Sequence, residues 1–107
     1  MAETLKVLYQ SNPPASVLTD LYTAPSQATV SSIVVCNQSS TDATFRLSVA
    51  VAGASDDPKQ YLYYGTWLPG NDTFIATIGI TLGSTDVIRI YATSASISCS
   101  IFGVEVS

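Results

Sequence analysis

Apolar and polar residues alternate in short stretches along the chain, and turn-forming residues close each stretch. Leu5 to Tyr9 alternates around Lys6 until Ser11-Asn12-Pro13-Pro14, where paired prolines cannot continue a ladder. Val17 to Thr23 follows and ends at Ala24-Pro25-Ser26, and Val30 to Cys36 runs into the polar loop Asn37 to Asp42. Thr44 to Ala52 has the cleanest period of two: Phe45, Leu47, Val49 and Val51 share one face, and Arg46, Ser48, Ala50 and Ala52 the other. Gln60 to Leu68 is aromatic, and a regular strand there places Tyr61 and Tyr63 on one side with Leu62 and Tyr64 on the other. Pro69-Gly70-Asn71-Asp72 is the strongest turn signal. Thr73 to Leu82, Asp86 to Tyr91 and Ile97 to Val106 complete the series.

This pattern predicts about eight strands at the spacing of an all-β sandwich or barrel. No segment sustains a 3.6 period, and the β-branched load disfavours helix. The expectation is one antiparallel β-sandwich over residues 1–107, with jelly-roll connections among the permitted orders. There is no linker, repeat or low-complexity tail. The core is expected to hold Phe45, Leu47, Val49, Val51, Phe74, Ile78 and Ile80.

Composition narrows the function. Only 11% of the 107 residues are charged, against about 25% in ordinary soluble domains, so Ser and Thr must build much of the surface. A net charge of −4 with four basic residues cannot neutralise a run of phosphates, so no nucleic-acid partner is expected. No apolar run is long enough to span a membrane, and no export signal opens the chain, which points to synthesis in a cytoplasm. Cys36 and Cys99 are then expected as free thiols in strands. The triplets Asn37-Gln38-Ser39 and Asn71-Asp72-Thr73 read as turns rather than glycosylation acceptors.

Catalytic chemistry finds little support. Histidine is absent, which removes the commonest general base and metal ligand. The serines have no Gly-x-Ser-x-Gly elbow, and a Ser–Lys pair would need Lys6 or Lys59 buried with a depressed pKa, whereas Lys59 follows Asp56-Asp57-Pro58 in a turn that favours exposure. Asp56, Asp57, Asp72 and Asp86 lie in or beside turns, with no spacing that sets two across a cleft or clusters them for calcium. No enzyme, cofactor or metal is expected. The stretch Tyr61 to Trp67 is the most distinctive feature. Such aromatics can stack on sugars, the mark of a small carbohydrate-binding module, or pack at a subunit interface. Tyr61, Tyr63, Tyr64 and Trp67 are accordingly the candidate interface residues.

A small β-domain with few charges has strand edges that little protects from pairing with other chains, so the composition points to work inside an assembly. Several segments carry a family likeness: Lys6-Val7-Leu8-Tyr9-Gln10-Ser11-Asn12-Pro13, Thr19-Asp20-Leu21-Tyr22-Thr23, Ile33-Val34-Val35-Cys36-Asn37, Phe45-Arg46-Leu47-Ser48-Val49, Gln60-Tyr61-Leu62-Tyr63-Tyr64, Gly70-Asn71-Asp72-Thr73-Phe74, Ala76-Thr77-Ile78-Gly79-Ile80 and Ile101-Phe102-Gly103-Val104-Glu105. Together they resemble small virion proteins of tailed bacteriophages over nearly the whole chain. The resemblance implies a non-enzymatic, multi-copy structural role in the virion, with no catalytic residues to carry over. The first expectation is a capsid decoration or cement protein, a homo-oligomer and by expectation a trimer, bound to the major capsid protein. The alternative is a tail, baseplate or fibre-associated component.

Overall fold

The computed structural model describes residues 2–106; Met1 and Ser107, the ends of the expected domain, lie outside the described residues. Nine strands follow in order: β1 (Glu3–Ser11), β2 (Thr19–Thr23), β3 (Gln27–Asn37), β4 (Ala43–Ala50), β5 (Tyr61–Leu68), β6 (Thr73–Ala76), β7 (Ile80–Leu82), β8 (Val87–Ala92) and β9 (Ile97–Val106). Short 3-10 turns at Val51–Gly53 and Pro58–Gln60 join β4 to β5.

The strands form two antiparallel sheets. One has the order β1-β9-β3-β6, with β7 also paired to β3, and the other has the order β2-β8-β4-β5. Taking β6 and β7 as one interrupted strand, the first strand pairs with the last, the second with the next to last, the third with β6/β7, and the fourth with the fifth. This nesting is a long hairpin rolled into two layers, the jelly-roll arrangement. The central strand β9 alternates along its length and β3 on either side of a bulge at Ser31, sending Val30, Ile33, Val35, Ile97, Cys99 and Ile101 inward. They meet Phe45, Leu47, Leu68, Ile88 and Ile90 of the second sheet in one continuous core. At Gly103 the backbones are too close for a side chain, since a Cβ there would lie 2.2 Å from the Thr29 carbonyl oxygen.

Four expectations about faces need correction or refinement. Val51 is 69% exposed because β4 ends at Ala50 and the chain turns into a 3-10 segment, with Ala52 in the left-handed region at φ 54°. Ile78 is 42% exposed because the predicted strand Thr73 to Leu82 is interrupted. Ile33 pairs with Ala76 and Val30 with Ile80, so Thr77-Ile78-Gly79 must pass opposite only Ser31-Ser32 and bulges away. Val49 and Phe74 face the core but are only partly covered by it. Phe45, Leu47 and Ile80 are buried as expected.

The two outer faces differ. On the second sheet, residues 51–60 fold back over β4 and β8. Arg89 donates to the carbonyls of Ala54 (2.7 Å) and Gly53 (3.2 Å), and the Asp86 carboxylate accepts from the Ala52 N–H (2.8 Å). This cover buries Ser48 and Ala50, although both point away from the core. Among the described residues, no segment covers the outer face of the first sheet in this way. Register places Leu5 beside Val104, Val7 beside Phe102, and Val34 beside Ile75 on that face, with Ser32 and Ser100 between them. Cys36 also lies on this side, whereas Cys99 points into the core and burial raises its thiol pKa to about 12. The two thiols therefore occupy opposite faces of one sheet, and both are free.

Candidate functional site

The aromatic strand β5 is irregular, and its irregularity creates the candidate site. Phe45 pairs with Thr66, Leu47 with Tyr63 and Ser48 with Tyr61, so β5 carries extra residues at Tyr64-Gly65 and at Leu62. Gly65 takes φ +66°, a conformation that a side chain resists. Each bulge reverses the alternation. Tyr63 consequently turns inward, edge-on to Phe74 at 5.0 Å between ring centroids. Tyr61 and Tyr64 turn outward together and meet edge to face at 5.0 Å. The expectation that Tyr61 and Tyr63 share a side is overturned by the bulge at Leu62. Trp67 pairs with Thr44 and is 64% exposed at the sheet edge.

Arg46 stands opposite the Tyr64-Gly65 bulge on the same outer face, with Tyr91 of β8 beside it in register. Its guanidinium carbon lies 4.3 Å from the centre of the Tyr64 ring and 4.6 Å from that of Tyr91. Cation–π attraction thus holds the charge between two aromatic rings. Among the described residues no carboxylate comes within ion-pairing distance of it. Tyr61 donates from its hydroxyl to Asp56 Oδ1 at 2.8 Å. Desolvation, and then the bond to Asp56, raise the Tyr61 pKa, so the ring stays a neutral donor at ordinary pH. Arg46, Asp56, Pro58, Tyr61 and Tyr64 line an open concavity of about 470 Å³.

The wall that supplies Asp56 is well anchored. Asp57 caps the Pro58–Gln60 turn by accepting from the Lys59 N–H, and Gln60 donates to the Ser55 carbonyl at 2.8 Å. The other loop carboxylates have similar local tasks. Asp42 accepts from the Gly70 N–H, Asp72 from the Thr73 N–H, and Asp86 from those of Ala52 and Gly83, which hold the Asp86 carboxyl below the usual range. These acids act as turn caps, each committed to its own backbone partner.

Of the four candidate interface residues, Tyr61 and Tyr64 come together, Trp67 is exposed nearby on the same strand, and Tyr63 packs against the core. Sequence reading missed Arg46, Tyr91 and Asp56 as their companions. Arg46 carried one signal, a charge on the polar face of the most regular strand; Tyr91 joins it only through the long-range β4–β8 pairing. Comparison of the chain with models of known protein families finds no match, and a search among curated proteins finds none.

Proposed function

We propose that this chain is a non-enzymatic structural protein of a bacteriophage particle, a capsid decoration protein that acts as joined copies on the shell. The observation that carries this reading is the outer face of the first sheet. Leu5, Val7, Val34, Ile75, Phe102 and Val104 share it with serines and threonines, and among the described residues its only charged side chain is Glu3 at one end. Soluble monomers rarely leave a contiguous apolar patch of this kind uncovered. The ten residues of β9, at ~3.3 Å each, and the three ~4.8 Å spacings between the four strands give roughly 475 Å² of flat face. That is somewhat more than half of the ~800 Å² each partner buries in a standard interface.

Without charges to fix a unique heterologous partner, such a face suits other copies of the same chain. A closed trimer seated on threefold positions of the shell is the arrangement proposed. By bridging neighbouring subunits of the major capsid protein, it would stabilise the assembled lattice by mass action. Synthesis in the bacterial cytoplasm precedes incorporation into the virion.

The test has two parts. Sedimentation of the purified protein should give a discrete oligomer, and particles carrying it should withstand heating better than particles without it. A monomeric protein whose loss leaves particle stability unchanged would overturn the decoration reading and move the assignment to a tail, baseplate or fibre component.

A further inference from the structure

The concavity around Arg46 lies on the opposite side of the sandwich from the apolar face and has a different chemistry. We infer that it is a saccharide-binding site that takes a neutral hexose unit through its ring face and a pair of neighbouring hydroxyls.

Three features converge on that ligand class. Tyr64 is 65% exposed although Arg46 and Tyr61 hold its ring in place, so it offers a fixed aromatic surface to solvent. A fixed ring suits the C–H face of a pyranose because little conformational freedom is lost on contact. The second feature is the pairing of hydrogen-bonding groups that keep capacity to spare. The Arg46 guanidinium is stacked and reaches toward the Tyr61 hydroxyl, yet among the described residues it has no carboxylate partner, and Asp56 spends Oδ1 on Tyr61 while Oδ2 has no partner among those residues. A donor fork and an acceptor on either side of Tyr61 match vicinal hydroxyls, which both donate and accept. The third feature is preorganisation, since the bonds of residues 51–60 to Arg89 and Asp86 fix the wall carrying Asp56 before any ligand arrives.

The same features weigh against other ligands. One arginine beside one aspartate leaves the site without net charge, and the chain carries −4, so uronates, sialosides and phosphorylated chains gain no attraction. The inference stands independently of assembly, because none of these residues belongs to the proposed contact face.

The protein should be applied to an array of neutral oligosaccharides of glucose, galactose, mannose, rhamnose and N-acetylglucosamine. Sialylated and uronate glycans and a proline-rich peptide should stand alongside. Any neutral glycan bound should then be titrated by NMR up to millimolar concentration. The expected result is saturable binding of at least one neutral glycan, with shifts centred on Tyr61, Tyr64 and Arg46. Tyr64→Ala and Asp56→Ala should each weaken it about tenfold or more with unchanged melting temperature, and Tyr9→Ala, at an exposed tyrosine of β1, should leave it intact. Absence of binding to every neutral glycan, equal binding by both site variants, or binding confined to the acidic glycans or the peptide would overturn the inference.

Discussion

Tyr22 of β2 donates its hydroxyl to Glu105 of β9 at 2.5 Å, and so ties the two sheets together at one open end of the sandwich. Lys6 of β1 reaches the other carboxylate oxygen at 2.9 Å, which makes Glu105 the centre of a three-strand clasp. The bond to Lys6, and then that from Tyr22, hold the Glu105 carboxyl below its ordinary range, while burial and the same carboxylate push the Tyr22 phenol upward.

Two opposite pH limbs follow from this pair. A depressed carboxylate contributes stability above its unfolded value of about 4.3 and loses that contribution as pH falls through its lower folded value. A raised phenol contributes below about pH 10 and loses its contribution as pH rises beyond it. Glu105→Gln should therefore flatten the acid limb of a melting-temperature profile. Tyr22→Phe should flatten the alkaline limb and cost about 1 kcal/mol at neutral pH. Profiles parallel to that of the unaltered protein would show that the clasp contributes nothing.

Asn37 should be among the costliest polar positions to change. Its side chain is buried and donates to the carbonyls of Thr41 (2.9 Å) and Leu68 (3.2 Å), and it accepts from the N–H and hydroxyl of Ser39. One side chain thus fastens the β3–β4 loop to the end of β5. Asn37→Ala takes this donor from the buried Leu68 carbonyl, while the Thr41 carbonyl keeps the Ser39 hydroxyl, and it should cost about 2 kcal/mol in chemical denaturation. Asn71→Ala, in an exposed turn at φ 57°, should cost less than Asn37→Ala.

The fold was legible wherever alternation ran uninterrupted. Phe45 and Leu47 are read correctly from period two, because burial of one face is what selects that pattern, and the strand expected over Ile97 to Val106 is β9 with the same bounds. Val51 and Ile78 were misread because a strand's end or interruption depends on its partner, and the partner is far away in sequence. The difference is measurable. Phe45→Ala should cost about 3–5 kcal/mol as a core cavity, whereas Val51→Asp should stay within about 0.5 kcal/mol of the unaltered protein. Unfolding of Val51→Asp would restore the original reading of that face.

The candidate site was half legible. The aromatic run drew attention to Tyr61 and Tyr64, but only the bulges bring them onto one face beside Arg46. Gly65 was the available clue, since an isolated glycine within a strand pattern marks a bulge. A Cβ at Gly65 would meet nothing within 4 Å, so any penalty there is conformational and does not arise from crowding. Gly65→Val should cost about 1–2 kcal/mol and should perturb the NMR signals of Tyr61 and Tyr64 more than those of Tyr63. Shifts confined to Tyr63 would show that the bulge does not set the outer tyrosine pair.

Self-association through the first sheet should have the salt signature of an apolar contact. Charged interfaces weaken as ionic strength rises because exposed charges are screened beyond about 10 Å at 0.1 M. A face of Leu5, Val7, Val34, Ile75, Phe102 and Val104 gives salt little to screen. The oligomer should therefore persist from about 0.05 to about 0.5 M sodium chloride and tighten in sulfate, which strengthens apolar burial. Leu5 and Ile75 are 79% and 60% exposed on strands at opposite edges of that sheet, so lysine at either position should be tolerated by the fold. The double variant Leu5→Lys with Ile75→Lys should sediment as a monomer with a cooperative melt. Tyr64→Ala, on the other face, should leave the oligomer intact. Dissociation by sodium chloride, or an oligomer that survives both lysines, would place the contact elsewhere, and Trp67 on the edge strand β5 would be the next residue to change.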